Sequence, residues 1–299
     1  PIPNRNLLPK HIDYFNPIVK RVPYTTAMTS RGCPGLCTFC NVPDFYGKTY
    51  RSRSAEKVIE EIKEIVKLGY KEIWFRDETF TAFPERNKKI CEWIIDNKID
   101  ITWIANARVN LITKEMMELM KKAGCHMIKF GVESGVQEIL NNVKKGITIE
   151  RTREVFKWAR EIGMDTHAHT MLGMPGDTNE TVETTIKFIK EIKPATATFG
   201  ICTPYAGTPL FKEVAEKDPS IADGTSLGKQ QLHVKSYYNQ HYTKVTSEDL
   251  QKYLKQAYRS FYFRPNYVAS WLGKVKNLDE LKRVILAGTN VFSFSMGKE

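Results

Sequence analysis

Between residue 24 and about residue 206 the chain alternates short apolar or β-branched runs with amphipathic stretches of helical spacing. Tyr24–Thr29 reads as a strand. Ser54 then caps a helix in which Val58, Ile59, Ile62, Ile65 and Val66 recur at helical spacing, and Gly69 ends it. Ile73–Phe75 predicts a second strand, and Pro84 opens a helix running to about Asn97. Ile101–Ala105 follows as the third strand, with a helix from Thr113 to about Ala123 stopped by Gly124. Met127–Val132 is the fourth strand and Thr148 to Ile162 the next helix, stopped by Gly163. Thr166–Leu172 is the fifth, Thr178 to Ile192 a helix ending before Pro194, and Thr196–Cys202 the sixth.

Six β/α units with short connections imply a parallel sheet with right-handed crossovers, open and doubly wound or curled into a barrel. In either form, chemistry belongs at the C-terminal ends of the strands. After Pro209 the pattern breaks. Residues 210–245 read as irregular and polar, followed by a helix from about Ser247 to Phe261 and a second from Leu278 to Leu286. The expected division is a lead-in segment over residues 1–23, a core over 24–209 and a mainly helical appendage over 210–299.

Composition narrows the class. With 41% hydrophobic and 26% charged residues, the 299-residue chain has the make-up of an ordinary globular protein. No apolar run approaches the roughly 18–20 residues of a membrane span, and six cysteines are too sparse for a secreted disulfide scaffold. A cytoplasmic setting is expected. The net charge of +11 resides in the two ends. Residues 1–53 carry eight Lys/Arg against two acids, residues 54–209 carry 23 of each, and residues 210–299 carry fourteen against nine. Without a Lys/Arg block, nucleic acid is not the expected partner.

Cys33, Cys37 and Cys40 lie within eight residues, in the loop after the first strand. Three thiolates so close suit a soft metal or an iron–sulfur cluster. A zinc site would need a fourth Cys or His, and the nearest upstream is His11. Cys91 and Cys125 read as packing residues, whereas Cys202, at the end of the sixth strand, is placed to face a pocket. Polar residues gather at the other strand ends: Asp77 and Glu78, Asn106 and Arg108, Glu133 and Ser134, the turn Gly173-Met174-Pro175-Gly176-Asp177, and Tyr205. His167, His169 and Met171 alternate along one face of the fifth strand. If that face points inward, two imidazoles line a chamber; if outward, they are packing residues. The aromatic and basic stretch Tyr258, Phe261–Arg264, Tyr267 and Trp271 floors a pocket or serves as packing.

Cys33, Cys37, Phe39 and Cys40, in C-x-x-x-C-x-aromatic-C spacing after the first strand of a six-fold β/α array, resemble the signature of radical S-adenosylmethionine (SAM) enzymes. The resemblance implies an α/β fold, a partial (β/α)6 TIM-like barrel with a mainly helical C-terminal appendage. It implies a [4Fe–4S] cluster on Cys33, Cys37 and Cys40, one iron being left for the amino and carboxylate groups of SAM, and a 5′-deoxyadenosyl radical that abstracts hydrogen. Phe39, Asp77, Glu78, Asn106, Glu133, Ser134, Gly173 and Pro175 are then expected to bind the cofactor, with Glu78, Arg108 and Tyr205 as catalytic candidates. Asp77 or Glu78 would meet the SAM ammonium, although the family's usual glycine pair is absent there. Arg108 would bind SAM or substrate, or neutralise one of those carboxylates.

The match is closer to the cobalamin-binding branch, which includes hopanoid and phosphinate methylases and the anaerobic magnesium-protoporphyrin ester cyclase. Leu7-Leu8-Pro9, Asp77–Thr81, Gly131–Gly135, Gly173–Asp177 and Phe261-Tyr262-Phe263-Arg264-Pro265 carry that likeness. Residues 1–23 cannot encode a cobalamin domain, so cobalamin is expected only if a domain outside this chain supplies it. The implied function is cobalamin-type methyl transfer or oxidative cyclisation of a small molecule, with electrons from a reductant protein such as a flavodoxin or ferredoxin. Two alternatives stand beside it. An RNA methylthiotransferase would want a second set of cluster cysteines and a basic β-barrel. A zinc or iron–sulfur binding module would have no catalysis.

Overall fold

Spatial order follows chain order in the main sheet of the computed structural model, which describes residues 2–9, 14, 16, 18–47, 49–224, 234, 238–272, 285–286 and 288–294. The strands are β1 (Tyr24–Ala27), β2 (Ser30–Arg31), β3 (Arg51–Ser52), β4 (Glu72–Phe75), β5 (Thr102–Ala107), β6 (Cys125–Glu133), β7 (Asp165–Leu172) and β8 (Thr196–Ile201). Six of them form a sheet in the order β1-β4-β5-β6-β7-β8, every pairing parallel. β1 and β8 do not pair with each other, so the barrel is partial. β2 and β3 form a separate antiparallel ribbon.

The helices are α1 (Val42–Tyr46), α2 (Ala55–Lys67), α3 (Pro84–Asp96), α4 (Lys114–Lys122), α5 (Gln137–Asn142), α6 (Ile149–Ile162), α7 (Asn179–Ile192), α8 (Pro209–Lys217), α9 (Ser247–Tyr262) and α10 (Pro265–Leu272). Their starts follow from local chemistry. The side chains of Ser54, Thr113, Thr148 and Thr178 each accept a hydrogen bond from a backbone N–H in the first turn of α2, α4, α6 and α7. The apolar faces of these helices pack on the outer face of the sheet. Ile62, Ile65, Ile90 and Phe156 meet Phe75, Trp103, Ile128 and Phe130 in one core. Each such side chain contributes about 1.5–3 kcal/mol by leaving water.

Both open edges of the sheet are covered. On β8, Tyr262 Oη accepts from Ala197 N at 3.0 Å and donates to Ala197 O at 2.6 Å, and Tyr258 Oη makes the same pair of bonds with Phe199 at 3.3 and 3.1 Å. Two hydroxyls of α9 thus occupy ladder positions that another strand would take. Within the aromatic stretch, Tyr258 and Tyr262 therefore seal an edge, while the Trp271 side chain lies outside the described residues. On β1, Arg5 donates to Thr25 Oγ1 at 3.0 Å and Thr26 O at 2.9 Å and pairs with buried Glu61. Val19 enters the base of the barrel against Trp74, Ile104 and Met127, and the Lys20 and Arg21 amides donate to Glu72 Oε2.

Several elements depart from the hydropathy reading. The β2–β3 ribbon, α1 and α5 are too short to show a period. α8 lies where residues 210–245 read as irregular; Thr208 as N-cap and Pro209 at the first turn are its signals. α10 follows Arg264, and of the predicted Leu278–Leu286 helix only residues 285–286 fall among those described. Among the described residues, no helix is long and apolar enough to cross a membrane.

Candidate functional site

β2 delivers the chain directly into the cysteine loop. That loop is irregular, and its position is set from a distance. Thr38 N donates to Val143 O and Leu210 N donates to Thr38 O, both at 3.0 Å, while Phe39 and Cys37 pack in an apolar cluster with Ile139, Met174 and Leu210. Phe39 acts as the keel of the loop, because it is buried in that cluster. All six cysteines are free thiols.

Cys33 and Cys37 both act on the third loop thiol. Burial pushes the Cys40 thiol up to about 11; Cys37 and Cys33 push the same way, and Lys145 pulls down. Arg108 provides a second cation. Its Nη1 lies 3.6 Å from Cys37 Sγ, its Nη2 donates to Lys145 O, and its Nε lies 3.3 Å from Asn110 Oδ1. Gly35 makes room for it, since a Cβ there would stand 2.6 Å from Arg108 Nη1. Arg108 therefore faces the cysteine loop, and the expectation that it neutralises Asp77 or Glu78 is corrected. Among the described residues, no three His, Cys, Asp or Glu side chains are grouped as a single metal ion requires. Three thiols on one loop with Arg108 and Lys145 beside them are the donor set of a cluster that takes each thiolate on a separate iron, the cations offsetting its negative charge.

The carboxylates of Asp77 and Glu78 part company. Asp77 is fully buried, where it accepts from Thr29 N at 2.6 Å, from Ser30 Oγ at 2.5 Å and from Thr29 Oγ1, with Arg86 at 3.8 Å. These bonds tie the end of β1 and the start of β2 to β4. With both oxygens engaged by protein and none of its surface exposed, Asp77 is closed to a ligand, so its assignment to the SAM ammonium is corrected. Glu78 points to solvent; partial burial raises its pKa, while nearby Arg76 opposes the rise. Asn106 is half-buried, and its Nδ2 donates to Asp77 O at 2.8 Å.

At the end of β6, Glu133 has φ +63° and follows a register shift between Gly131 and Glu133. That bulge turns its carboxylate onto Lys145 Nζ at 2.7 Å, with both side chains over nine-tenths buried. Gly131 leaves room for the pair, since a Cβ there would come 2.4 Å from Glu133 Oε1 and 2.7 Å from Lys145 Nζ and displace them. Lys145 escaped the sequence reading because it follows α5, away from any strand end. Its only signal is a lysine pair before Gly146. Ser134 turns away from this site. Its Oγ lies 3.1 Å from Thr185 Oγ1 and accepts from Val136 N, so it fastens α5 and α7, correcting its assignment to the cofactor.

The Gly173–Asp177 turn is folded on itself by Asp177, which accepts from Met174 N and Thr181 Oγ1. Close approach at Gly173 is made by protein. A Cβ there would meet Leu250 at 2.8 Å, and Asn239 Nδ2 donates to Gly173 O at 3.2 Å. Gly173 thus has no free face for a cofactor, while Pro175 stays half-exposed at the rim. Tyr205 is half-buried there, and burial raises its pKa. Cys202 is wholly buried, against its placement at a pocket. Cys91 and Cys125 are buried as packing residues.

The alternation on β7 resolves inward. His167 and His169 project into the lumen with ring centroids 4.4 Å apart. His167 Nδ1 lies 2.7 Å from Thr196 Oγ1 and Nε2 lies 3.2 Å from Thr198 Oγ1; His169 Nδ1 lies 2.9 Å from Thr198 Oγ1. Burial drives the pKa of His167 well down, and burial with Lys129, Lys145 and Arg76 lowers that of His169 to about 3.

The Radical SAM superfamily profile matches residues 28–189. The chain is 37% identical over 273 residues to an uncharacterized methyltransferase of Pyrococcus horikoshii, covering 89% of this chain and 56% of that protein. It is 31% identical over 193 residues to the anaerobic magnesium-protoporphyrin IX monomethyl ester cyclase of Rubrivivax gelatinosus, covering 63% and 34%. The chain thus spans about half or less of these relatives' lengths. In fold it is similar to the cobalamin-dependent SAM radical enzyme OxsB, with TM-score 0.61 at 19% identity over 91% of this chain and 46% of the other. It is also similar to the radical SAM methyltransferase TsrM of Kitasatospora setae, with TM-score 0.60 at 23% identity over 64% and 36%. A matching profile over more than half the chain, opening on the loop that carries Cys33, Cys37 and Cys40, places this protein in the radical SAM superfamily.

Proposed function

We propose that this chain is the catalytic portion of a radical SAM enzyme that methylates or oxidatively cyclises a small molecule. One observation carries the reading: three free thiols on one loop, with Arg108 against Cys37 and the buried Glu133–Lys145 pair at the neighbouring strand end. When bound, the cluster and SAM supply one-electron cleavage of a sulfonium C–S bond and, from it, a 5′-deoxyadenosyl radical. The protein's own part is positioning. Cys33, Cys37 and Cys40 hold the cluster, and Arg108 and Lys145 offset its charge. Glu78 and Asn106 Oδ1 are the acceptors on the β4–β5 side of the rim for the SAM ammonium. Glu133 receives ribose hydroxyls on the β6 side, and Pro175 and Tyr205 border the adenosine and the reacting carbon. Ser134, Asp77 and Gly173 support these groups from behind.

Relatives named as methyltransferases and as a cyclase support both outcomes. Cobalamin enters only if supplied from outside this chain. The β2–β3 ribbon, which pairs exposed Arg31 and Arg51 beside the cysteine loop, suits an acidic electron carrier such as a flavodoxin or ferredoxin. Six free thiols suit a cytoplasmic setting. The test is anaerobic reconstitution with iron and sulfide, followed by reduction in the presence of SAM. Broad visible absorption and SAM cleavage are expected. Bound zinc alone, with SAM left intact, would overturn the proposal.

A further inference from the structure

The lumen below the rim holds charges that the cofactor site does not use. Strand register places Asn106, Lys129, His167 and Thr196 side by side as one layer across β5–β8. The layer beneath is apolar: Trp74, Ile104 and Met127, closed from below by Val19. The layer above holds Gly131, His169 and Thr198. Lys129 Nζ stands 4.6 Å from the centroid of the Trp74 ring, and the Arg76 guanidinium carbon stands 4.3 Å from the same centroid. Two cations therefore share one indole.

Lys129 takes part in no ion pair or hydrogen bond with a carboxylate among the described residues; its contact is the indole. Its pKa falls to about 8 because of burial and the nearby Arg76 charge, and no acid raises it. The three cations around His169 act in one direction upon it, with no carboxylate opposing them. Glu133 is already engaged by Lys145, and Glu72 lies at the base with His126, Thr102 and two backbone amides. A half-buried ammonium held only by a ring face costs free energy that a negatively charged guest would recover. Thr26 and Thr198 add exposed hydroxyls to the same lumen wall; a separate cavity of about 430 Å³, lined by Glu133, His169, Thr198, Leu254, Tyr258 and Phe294, opens at the β8 edge and does not include Lys129 or Arg76.

We infer that the lumen is the substrate's anion pocket: Lys129 and Arg76, seated on Trp74, bind a carboxylate or phosphate group of the substrate and so orient the carbon above it toward the rim. The inference rests on the proposed function, since it names the substrate class of that site. The group is anchored one layer above Trp74, between half-buried Lys129 and exposed Arg76, with His169 and Thr198 as neutral hydrogen-bonding partners beside it. An uncharged substrate would leave Lys129 unmatched, Arg76 keeping only the exposed Glu78 beside it, and a cationic one would be repelled.

The test uses the full chain, with sodium phosphate and sodium acetate as probes at constant ionic strength, followed by calorimetry and by indole fluorescence. Saturable binding of at least one probe is expected, and the stronger of the two identifies the oxyacid type. Affinity should fall at least ten-fold in Lys129→Met and in Arg76→Met, and stay unchanged in the surface control Lys252→Met. Trp74→Phe should abolish the fluorescence change while calorimetric binding persists. Equal affinity of Lys129→Met and wild type, or no saturable binding of either probe, would overturn the inference. SAM cleavage without substrate is measured on the same proteins. Its loss in wild type with anion binding retained would remove the functional reading and leave the pocket, and the converse would remove the pocket alone.

Discussion

The cysteine loop and the lumen wall meet in one site but are built by opposite means. The loop is irregular and contiguous in sequence, and is held by a few distant anchors: Val143 and Leu210 on the backbone of Thr38, Phe39 in an apolar cluster, and Arg108 over Gly35. The lumen draws Lys129, His167, His169 and Thr198 from three paired strands, where register alone fixes which side chains meet. The difference teaches a division of labour. A loop can wrap a cofactor that brings its own geometry, whereas a substrate that brings none needs a wall whose groups are placed before it arrives.

Substituting the loop thiols should separate the two regions most sharply. In Cys33→Ser, Cys37→Ser or Cys40→Ser, visible iron–sulfur absorption and SAM cleavage should be lost completely. Melting temperature and phosphate or acetate binding should remain close to wild type. Loss of anion binding along with the cluster would show that the two regions are not independently built. A smaller but still large effect is expected where the loop is fastened to the sheet. Asp77→Ala leaves the Thr29 amide and the Thr29 and Ser30 hydroxyls without their acceptor in a buried place, and should cost about 3–5 kcal/mol in chemical denaturation. Glu78→Gln, one residue further on and exposed, should change stability by less than about 0.5 kcal/mol while weakening SAM binding. Equal stability losses in the two variants would undo the distinction between a fastening and a ligand-facing carboxylate.

The legibility of the site follows the same division. Cys33, Cys37 and Cys40 were readable because their chemistry is local in the chain, and the six strands because their apolar runs are short and separated by long helical periods. The two faces of β7 were readable as a pair of alternatives, but only pairing with β6 and β8 decides between them. Asp77 and Ser134 show the opposite limit: a polar residue at a strand end looks the same in sequence whether it faces a ligand or buttresses the backbone behind it. Lys145 shows another. It reaches Glu133 only because a bulge turns that carboxylate, and a bulge leaves no mark in hydropathy. The tyrosines of α9 fit a helical period equally as pocket floor or packing, and their use as an edge seal depends on where β8 ends.

The lumen wall should also set the acid sensitivity of the fold. His167 and His169 are held neutral, their folded pKa values lying below the ordinary 6.5. The folded protein therefore binds fewer protons than the unfolded chain over that window. Stability is full above pH 6.5 and is lost as pH falls toward His169's value of about 3. The slope is at most about 1.4 kcal/mol per pH unit for each imidazole, so His169 alone accounts for up to roughly 2 kcal/mol by pH 5. Denaturation of wild type and of the His167→Asn/His169→Asn double variant at pH 7.5 and 5.0 measures this. A variant with the same pH dependence as wild type would show that the imidazoles do not face a water-poor, cation-rich lumen.

The mildest perturbation tests whether the wall depends on the seal at its edge. Tyr262→Phe removes one oxygen that both accepts from Ala197 N and donates to Ala197 O, leaving two edge groups of β8 unpaired with no change in packing volume. A loss of about 1–2 kcal/mol is expected. Because β8 carries Thr196 and Thr198, which hold both lumen histidines, the effect should propagate. Amide hydrogen exchange at residues 197–199 should rise, with a smaller rise on β7 and none on β4 or β5. The cysteine loop should keep its cluster in this variant, since its anchors lie on α5 and at the start of α8 rather than on the sealed edge. Unchanged exchange on β8 would mean that α9 covers the edge by apolar contact alone, with Tyr258 and Tyr262 contributing their rings and not their hydroxyls.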